Sequence, residues 1–357
     1  MPRRTLFILV AAPLSVALAV AVSAAQRHKN QEPKSQVLPL PPELPKALLA
    51  DTASLDFHIS PLLRTGGLSA QIRQSLNDLI RDTRGETIIK LRAFVAGAGD
   101  ARRVQAEAAD LFTDRKLPLP ALTVLQIGAL GQETAQVVIE AVVSTHKTVN
   151  PSGLAFFAGQ NGSSFEEALR QLRESVAAAA VAPDHILTCT CFTSQIGNYD
   201  AARSAVQSAF PSTAINVVQA VRDPANDASM CEAVGQLTRA PAGPVVLLKK
   251  SRVTLVNTSQ LIFTGLQLSF GSFLDDAHEA FVRLQHTASA LQPVSAPVEV
   301  NAFSLDAYAS SALRKMTSFP PSAFTAQTVE GLPAIDASGG IEAILAPGVS
   351  SPESVPR

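Results

Sequence analysis

Apolar and polar positions repeat in the same order three times along the chain. Each repeat opens with an apolar strand near a glycine, in residues 55–67, 153–162 and 260–271. A helix follows in which apolar residues recur four positions apart, and one apolar face of such a helix needs a sheet to cover it. The pattern therefore predicts three successive strand–helix units.

Each repeat continues with a second strand, a second helix and further strands. The second strand ends in phenylalanine every time, and these residues are Phe94, Phe192 and Phe303. The closing strand carries a glutamate between two apolar residues, and these glutamates are Glu140, Glu232 and Glu342. The same features in the same order three times indicate one structural unit repeated within one chain.

These repeats predict an α/β (α+β) fold of three tandem units over residues 55–146, 147–240 and 241–346. Each has more strands than a βαβ unit, so we expect mixed β-sheets with both helices on one face. The uncovered sheet faces are apolar, and three of them can bury one another. This predicts a central pseudo-threefold barrel with the helices outside.

The composition narrows the class of protein further. Of the 357 residues, 46% are hydrophobic and 17% are charged, and the net charge is -1. An apolar fraction of this size excludes disorder over the whole chain. Because no basic field is present, net charge gives no support for a nucleic-acid partner.

Residues 1–26 have the features of an export signal. Arg3 and Arg4 form a short positive region, and an uncharged run extends over Leu6–Ala25. A run of about 20 apolar residues is also long enough to span a bilayer, so a cleaved signal and a membrane anchor over residues 5–25 both stay open. In either case we expect an exported protein, periplasmic or secreted.

Two flanking segments have no apolar periodicity. Residues 27–54 contain a series of prolines, which predicts an extended Pro-rich linker. Residues 347–357 predict a disordered tail. The ordered part of the chain is expected to begin near Asp51.

Three cysteines leave room for at most one disulfide within the chain. Cys189 and Cys191 lie two positions apart in an apolar strand, so we interpret them mainly as small core residues. A bridge between Cys191 and Cys231 is one possibility that the sequence does not decide.

The repeats resemble the RidA/YjgF family, formerly named endoribonuclease L-PSP. The resemblance rests on residues 100–122 with TVLQIGAL in the first repeat, on GLAFFAGQ and CEAV in the second, and on FTAQTVEGLP and IEAIL in the third. It implies a chorismate-mutase-like fold that forms trimers with ligand clefts between subunits. Here three RidA-like units would be fused into a monomeric pseudo-trimer.

The resemblance also implies a change in chemistry. The family hydrolyses enamines and imines with an arginine that binds the substrate carboxylate, a role that a neutral side chain fills poorly. The matching positions are apolar in all three repeats, and they are Leu122, Ile215 and Phe324. The family's first glutamate in the closing strand is replaced as well, by Val138, Met230 and Gly340. We therefore expect the deaminase activity to be absent.

Several polar residues remain as candidates for a site. Glu140, Glu232 and Glu342 are weak catalytic candidates, and the alternative is a purely structural role for them. The candidate ligand-binding residues are Thr123, Asn216, Thr325, Gln126, Gln219 and Arg222. The alternative for the first five of these is the polar alternation of any half-exposed strand, and the alternative for Arg222 is a surface salt bridge. The histidines have no metal-ligand spacing, and no cofactor motif is found.

Three functions follow as hypotheses. The first is an exported RidA-like protein that binds a small metabolite between the fused units without deaminase activity. The second is an enzyme of related architecture, either a divergent imine deaminase or a chorismatase-like hydrolase, which uses one surviving cleft glutamate. The third is a structural or interaction scaffold. The expected partner is a small molecule, with no nucleic acid and with a membrane only if the leader is uncleaved.

Overall fold

Mixed β-sheets covered by helices make up the structure, which is a computed structural model describing residues 42–97, 99–222, 228–313 and 322–348. These residues belong to one unit that begins at Pro42. The strands in chain order are β1 (Ala47–Asp51), β2 (Leu55–Ile59), β3 (Thr87–Ala96), β4 (Ala121–Ile127), β5 (Ala129–Leu130), β6 (Val137–Ser144), β7 (Leu154–Gly162), β8 (Ile186–Thr193), β9 (Ala214–Gln219), β10 (Ser229–Gln236), β11 (Val245–Leu248), β12 (Val253–Val256), β13 (Gln260–Thr264), β14 (Gln267–Phe270), β15 (Val294–Ser304), β16 (Ala323–Thr328) and β17 (Ala337–Pro347).

Two α-helices accompany each repeat in the described ranges. They are α1 (Leu68–Asp82), α2 (Arg102–Asp114), α3 (Phe165–Ala178), α4 (Tyr199–Ala209), α5 (Phe273–Ser289) and α6 (Ala307–Leu313). The apolar face predicted for the first helix is real, because Ile72, Leu76 and Leu79 are buried and pack against the sheet of their own repeat. Three such helix-on-sheet cores exist, one for each repeat.

The strands form three mixed sheets. The first has the order β2-β6-β3-β4, the second β11-β12-β7-β10-β8-β9-β5, and the third β1-β13-β17-β15-β16 with β14 also paired to β17. In each sheet the strand that ends in phenylalanine runs parallel to the strand after it and antiparallel to the closing strand. The α+β fold of repeated units is therefore confirmed.

The centre differs from the expected barrel in one respect. Backbone pairing among the described strands ends at the edges of three separate sheets, so no ladder closes around the axis. Neighbouring repeats are joined by short links instead, such as β5 of the first repeat on β9 of the second and a bridge from Gln126 to Gly331. Side chains of the three inner faces fill the space between the sheets.

The segment before the first repeat contributes to the fold. Residues from Ala47 to Asp51, expected within the Pro-rich linker, form β1 and pair with β13 of the third repeat. Ala47 and Ala50 are buried there, which gives this strand an apolar face. The leader, residues 27–41 of the linker and most of the tail lie outside the described residues. No helix in the described part of the chain is both long and apolar enough to cross a membrane.

The structure selects one cysteine pairing. Cys191 on β8 and Cys231 on β10 occupy opposite positions of two antiparallel strands, 4.1 Å apart between Cα atoms, and form a disulfide. Cys189 is a free, buried thiol whose Sγ lies 3.9 Å from that of Cys191. Burial raises the pKa of the Cys189 thiol, so it is unreactive.

Candidate functional site

One cross-strand register recurs in all three sheets and builds the candidate site. The closing strand sets its glutamate opposite a polar residue of the phenylalanine-ending strand, in the pairs Arg92–Glu140, Thr190–Glu232 and Asn301–Glu342. Two residues along, on the same face, lie the pairs Lys90–Val142, Thr188–Val234 and Glu299–Ile344. We call the polar members of these pairs the polar layer.

An apolar layer covers one side of the polar layer. Phe94, Phe192 and Phe303 are buried in one cluster together with Val138 and Met230. The rings of Phe94 and Phe192 meet edge to face with centroids 5.9 Å apart. The phenylalanine that recurs in the sequence therefore seals the polar layer from that side.

Arg92 stands at the centre of the polar layer and contacts carboxylates from all three repeats. Its Nη1 lies 2.5 Å from Glu232 Oε1 and 3.5 Å from Glu140 Oε2, and its Nε lies 2.9 Å from Glu342 Oε1. Burial opposes the charge of Arg92, but the three carboxylates outweigh it and raise the pKa of the guanidinium well above its usual value. This single side chain links the three sheets.

Lys90 forms a second buried ion pair in what we call the cationic corner. Its Nζ lies 2.7 Å from Glu342 Oε2 and donates to Thr123 Oγ1 at 2.6 Å and to the Thr264 carbonyl at 2.5 Å. Burial lowers the pKa of Lys90 despite this partner. Burial would raise the pKa of Glu342, but Arg92 and Lys90 together hold it at about 2. Glu342 is thus an ionised carboxylate.

The position of Lys90 is occupied differently in the other repeats. Thr188 holds it in the second repeat and Glu299 in the third. Thr188 is uncharged, and in this corner Glu140 accepts hydrogen bonds from Thr190 Oγ1 at 2.6 Å and Asn216 Nδ2 at 2.7 Å. The three corners have therefore diverged in charge.

The remaining corner, formed by Glu232, Glu299 and Asn301, is the acidic corner. Burial raises the pKa of Glu299 well above its usual value, and the nearby charge of Glu232 adds to the effect. Burial also raises the pKa of Glu232, although Arg92 opposes the change. Burial and the mutual repulsion of these two carboxyl groups both favour a retained proton on the pair, whereas the cations beside Glu342 favour its ionised form.

The polar layer surrounds a cavity of about 80 Å³. Its charged lining consists of Lys90, Arg92, Glu140, Glu232, Glu299 and Glu342. The half-buried members of the lining, among them Phe57, His58 and Thr188, mark the side where it meets solvent. His58 Nε2 lies 3.2 Å from Asp56 Oδ2, and this hydrogen bond raises the pKa of His58. In the described residues no cluster of side chains suits a metal ion.

The residues singled out from the sequence are divided between this site and the rest of the fold. Glu140, Glu232 and Glu342 are brought together, and Thr123 and Asn216 hydrogen-bond to two of them. The other four are engaged with backbone groups elsewhere. Thr325 Oγ1 accepts from the Gly159 amide at 2.8 Å, Gln219 donates to the Ser194 carbonyl at 2.7 Å, Arg222 donates to the Gly128 carbonyl at 2.8 and 3.0 Å, and Gln126 donates to the Gly97 carbonyl.

The positions expected to have lost an arginine lie outside the polar layer. Leu122 lines a different cleft of about 360 Å³, whereas Ile215 and Phe324 pack on the cores of their own repeats. The cations of the site are instead Lys90 and Arg92, which sequence reasoning missed together with Glu299. The signal was present, because both cations interrupt the apolar strand IIKLRAF at alternate positions, and a charge inside a buried strand requires a partner.

Comparisons with known proteins give only distant structural likenesses. No family model and no curated protein matches the chain. A cyanuric acid hydrolase from A. caulinodans matches with a TM-score of 0.23 and 11% identity over 84% of this chain and 99% of that one. A chorismatase matches with a TM-score of 0.23 and 9% identity over 82% and 99%. PurL of T. maritima, complexed with FGAR, matches with a TM-score of 0.28 and 10% identity over 85% of this chain and 76% of that one.

The assignment to the RidA/YjgF family is wrong. None of these comparisons finds a RidA/YjgF protein. The motifs behind the assignment, such as GLAFFAGQ and IEAIL, are almost fully buried strand residues, and apolar runs of this kind occur in unrelated folds. The hypothesis of a non-catalytic RidA-like binder is therefore wrong as well. It compared Leu122, Ile215 and Phe324 with an arginine that belongs to another family.

Proposed function

We propose that this protein is a hydrolase that works by acid–base catalysis on a small molecule in the central cavity. The observation that carries the proposal is that the carboxyl groups around one cavity have different ion-pair partners, which shift their pKa values in opposite directions. Lys90 and Arg92 hold Glu342 ionised, whereas Glu232 pairs with Arg92 alone and Glu299 has no ion pair among the described residues. Carboxyl groups whose pKa values are driven apart by their surroundings are typical of acid–base pairs in enzymes.

The acidic corner can supply both proton transfers of a hydrolysis. In this scheme Glu299 carries the proton and Glu232 is the carboxylate. Glu232 accepts a proton from water as the water oxygen bonds to the electrophilic carbon of the substrate, and Glu299 gives its proton to the leaving nitrogen or oxygen as its bond to that carbon breaks. Water is consumed, and a second proton transfer between the two carboxyl groups restores the starting state.

A scaffold role accounts less well for Glu299. A buried carboxyl group without an ion-pair partner, such as that of Glu299, lowers the stability of the fold, whereas an apolar residue of similar size would raise it. Arg92 with Glu232 and Glu342 already links the three sheets. Glu299 adds nothing to that link, so we assign it a chemical role.

The proposal is tested by hydrolysis of a panel of small compounds with C–N and C–O bonds, followed by mass spectrometry. We expect turnover of at least one compound by the wild type. Glu299→Gln and Glu232→Gln should each lower kcat by about 100-fold or more. Glu107→Gln is the control, because Glu107 pairs with Arg73 on the outer helices. Equal turnover by wild type, Glu299→Gln and Glu232→Gln would contradict the proposal, as would the absence of turnover over the whole panel.

A further inference from the structure

The acidic corner contains hydrogen-bond acceptors that lack donors. The Glu299 side chain, in a residue that is 5% exposed, makes no hydrogen bond to the described residues. Glu232 uses Oε1 to accept from Arg92, and its Oε2 has no donor within the described part of the chain. By contrast, Glu342 receives donors from Arg92, Lys90, Thr123 and Asn301.

Asn301 adds an independent, neutral acceptor to this corner. The residue is 2% exposed and lines the cavity, and its Oδ1 is buried with no partner among the described residues. Its Nδ2 donates to Glu342 Oε1 at 3.3 Å. This bond fixes the amide orientation, because the reverse orientation would set Oδ1 against a carboxylate oxygen. A buried acceptor without a donor is costly, so Oδ1 is suited to a ligand that donates.

The charge of the lining points in the same direction. Four carboxyl groups line the cavity against the two permanent cations Lys90 and Arg92, and His58 at its solvent side is paired with Asp56. Both cations are already engaged, with Glu342 and with all three strand glutamates respectively. The acceptor atoms of Glu299 and Glu232 that lack a donor are therefore suited to a positively charged group with N–H donors.

We infer that the acidic corner binds the cationic head of a small protonated amine or amidine, which donates N–H groups to Glu232, Glu299 and Asn301. The cavity of about 80 Å³ admits such a head group of a few heavy atoms. The inference names the substrate class of the proposed hydrolase and in that respect rests on the proposed function. Binding, however, is measurable without turnover.

The experiment measures binding of methylammonium chloride to the full-length protein by thermal shift and calorimetry. Three probes isolate the features of the ligand. Tetramethylammonium has the charge without N–H groups, potassium has the charge alone, and urea has N–H groups without the charge. We expect methylammonium to raise the melting temperature in a saturable manner, and the other three to have no such effect. Equal stabilisation by potassium or tetramethylammonium, or by urea, overturns the inference.

Two variants locate the site. Glu299→Gln removes the charge but keeps the shape, and Asn301→Leu removes the neutral acceptor. Each should weaken methylammonium binding by about tenfold or more, since each removes a hydrogen-bond acceptor of the cation. Glu107→Gln should bind as the wild type does. Unchanged affinity in both Glu299→Gln and Asn301→Leu contradicts this placement.

A measurement on the wild type keeps the test decisive if a variant fails to fold. Methylammonium, tetramethylammonium, potassium and urea are compared on the wild type, so this comparison needs no substituted protein. Stabilisation by methylammonium alone supports the inference even if both variants fail to fold, and the absence of any effect of methylammonium overturns it. Binding without turnover of any amine would refute the proposed hydrolase alone, whereas turnover of neutral compounds without amine binding would refute this inference alone.

Discussion

Arg92 of the first repeat and Glu232 of the second form an ion pair of 2.5 Å inside the molecule. The same guanidinium reaches Glu342 of the third repeat at 2.9 Å. One side chain therefore compensates charges that come from different sheets. The polar layer is held together by Arg92, which occurs in the first repeat alone. The second and third repeats have Thr190 and Asn301 at the matching position.

Replacing Arg92 should destabilise the fold severely. Arg92→Leu leaves Glu140, Glu232 and Glu342 buried beside one another with Lys90 as the remaining cation, and breaking a buried ion pair from one side costs about 3–5 kcal/mol. Denaturant unfolding followed by circular dichroism measures the loss. Arg222→Leu is the control, because Arg222 is an exposed side chain bonded to the Gly128 carbonyl. A similar small loss in both variants contradicts the central role of Arg92.

Two glutamates of the same layer should respond in opposite ways to the same substitution. Glu342→Gln leaves Lys90 without its carboxylate partner and removes one of the carboxylates that pair with Arg92. It should therefore lower the free energy of unfolding by about 3 kcal/mol or more. Glu299→Gln mimics a carboxyl group that already holds a proton, so it should change stability little or raise it. Parallel denaturant titrations at neutral pH compare the two. Equal destabilisation would show that Glu299 is ionised and paired.

The stability of the protein should depend on pH through Glu342 below about pH 4.5. Its pKa is about 2 in the folded state against 4.5 for an unperturbed glutamate, so the unfolded state takes up the proton first as the pH falls. The stabilisation is complete above about 4.5 and is lost as the pH falls toward 2. Its size is about 3 kcal/mol. Unfolding free energies measured over this range should decline less in Glu342→Gln than in the wild type.

Glu299 should make the protein less stable as the pH rises above about 4.5, which is the reverse of the effect of Glu342. Its pKa is raised by folding, so the folded state keeps a proton that the unfolded state releases above about pH 4.5. Stability therefore falls as the pH rises through the folded pKa. Melting temperatures of Glu299→Gln should fall less with rising pH than those of the wild type. Parallel curves for the two proteins would rule out a retained proton at this site.

Reduction of the disulfide should weaken the second repeat. The bond between Cys191 and Cys231 closes a loop with a sequence separation of 40, for which chain entropy gives about 4 kcal/mol of stabilisation. Cys191→Ala with Cys231→Ala should lower the unfolding free energy by about 2–4 kcal/mol. Cys189→Ala is the matched control at a neighbouring buried position, and a loss as large as that of the double variant would contradict the assignment.

The repeated layers of the fold could be predicted from the sequence because each repeat builds the same buried layer, so the same residue types return at matching positions. Phe94, Phe192 and Phe303 recur for that reason, and so do Glu140, Glu232 and Glu342. The disulfide could not be chosen, since pairing Cys191 with Cys231 depends on the register between β8 and β10. Register between strands that are distant in sequence has no local signal.

The site itself was only half visible in the sequence. The recurring glutamates were found by comparing the repeats, and this comparison passes over residues that occur in one repeat alone. Lys90, Arg92 and Glu299 are such residues, and they give the cavity its charge pattern. A search for charges inside buried strands, rather than for shared motifs, would have found all three.

The single guanidinium on the axis also has a consequence for stoichiometry. Three identical subunits, each equivalent to the first repeat, would place three arginines and three lysines around one point, facing only three glutamates. Three copies of the third repeat would place six carboxyl groups there with no cation. Exact rotational symmetry thus excludes this balance of charges. Covalent joining of unlike copies is what permits one arginine to serve three carboxylates, so no homotrimer assembled from any one repeat can reproduce this centre.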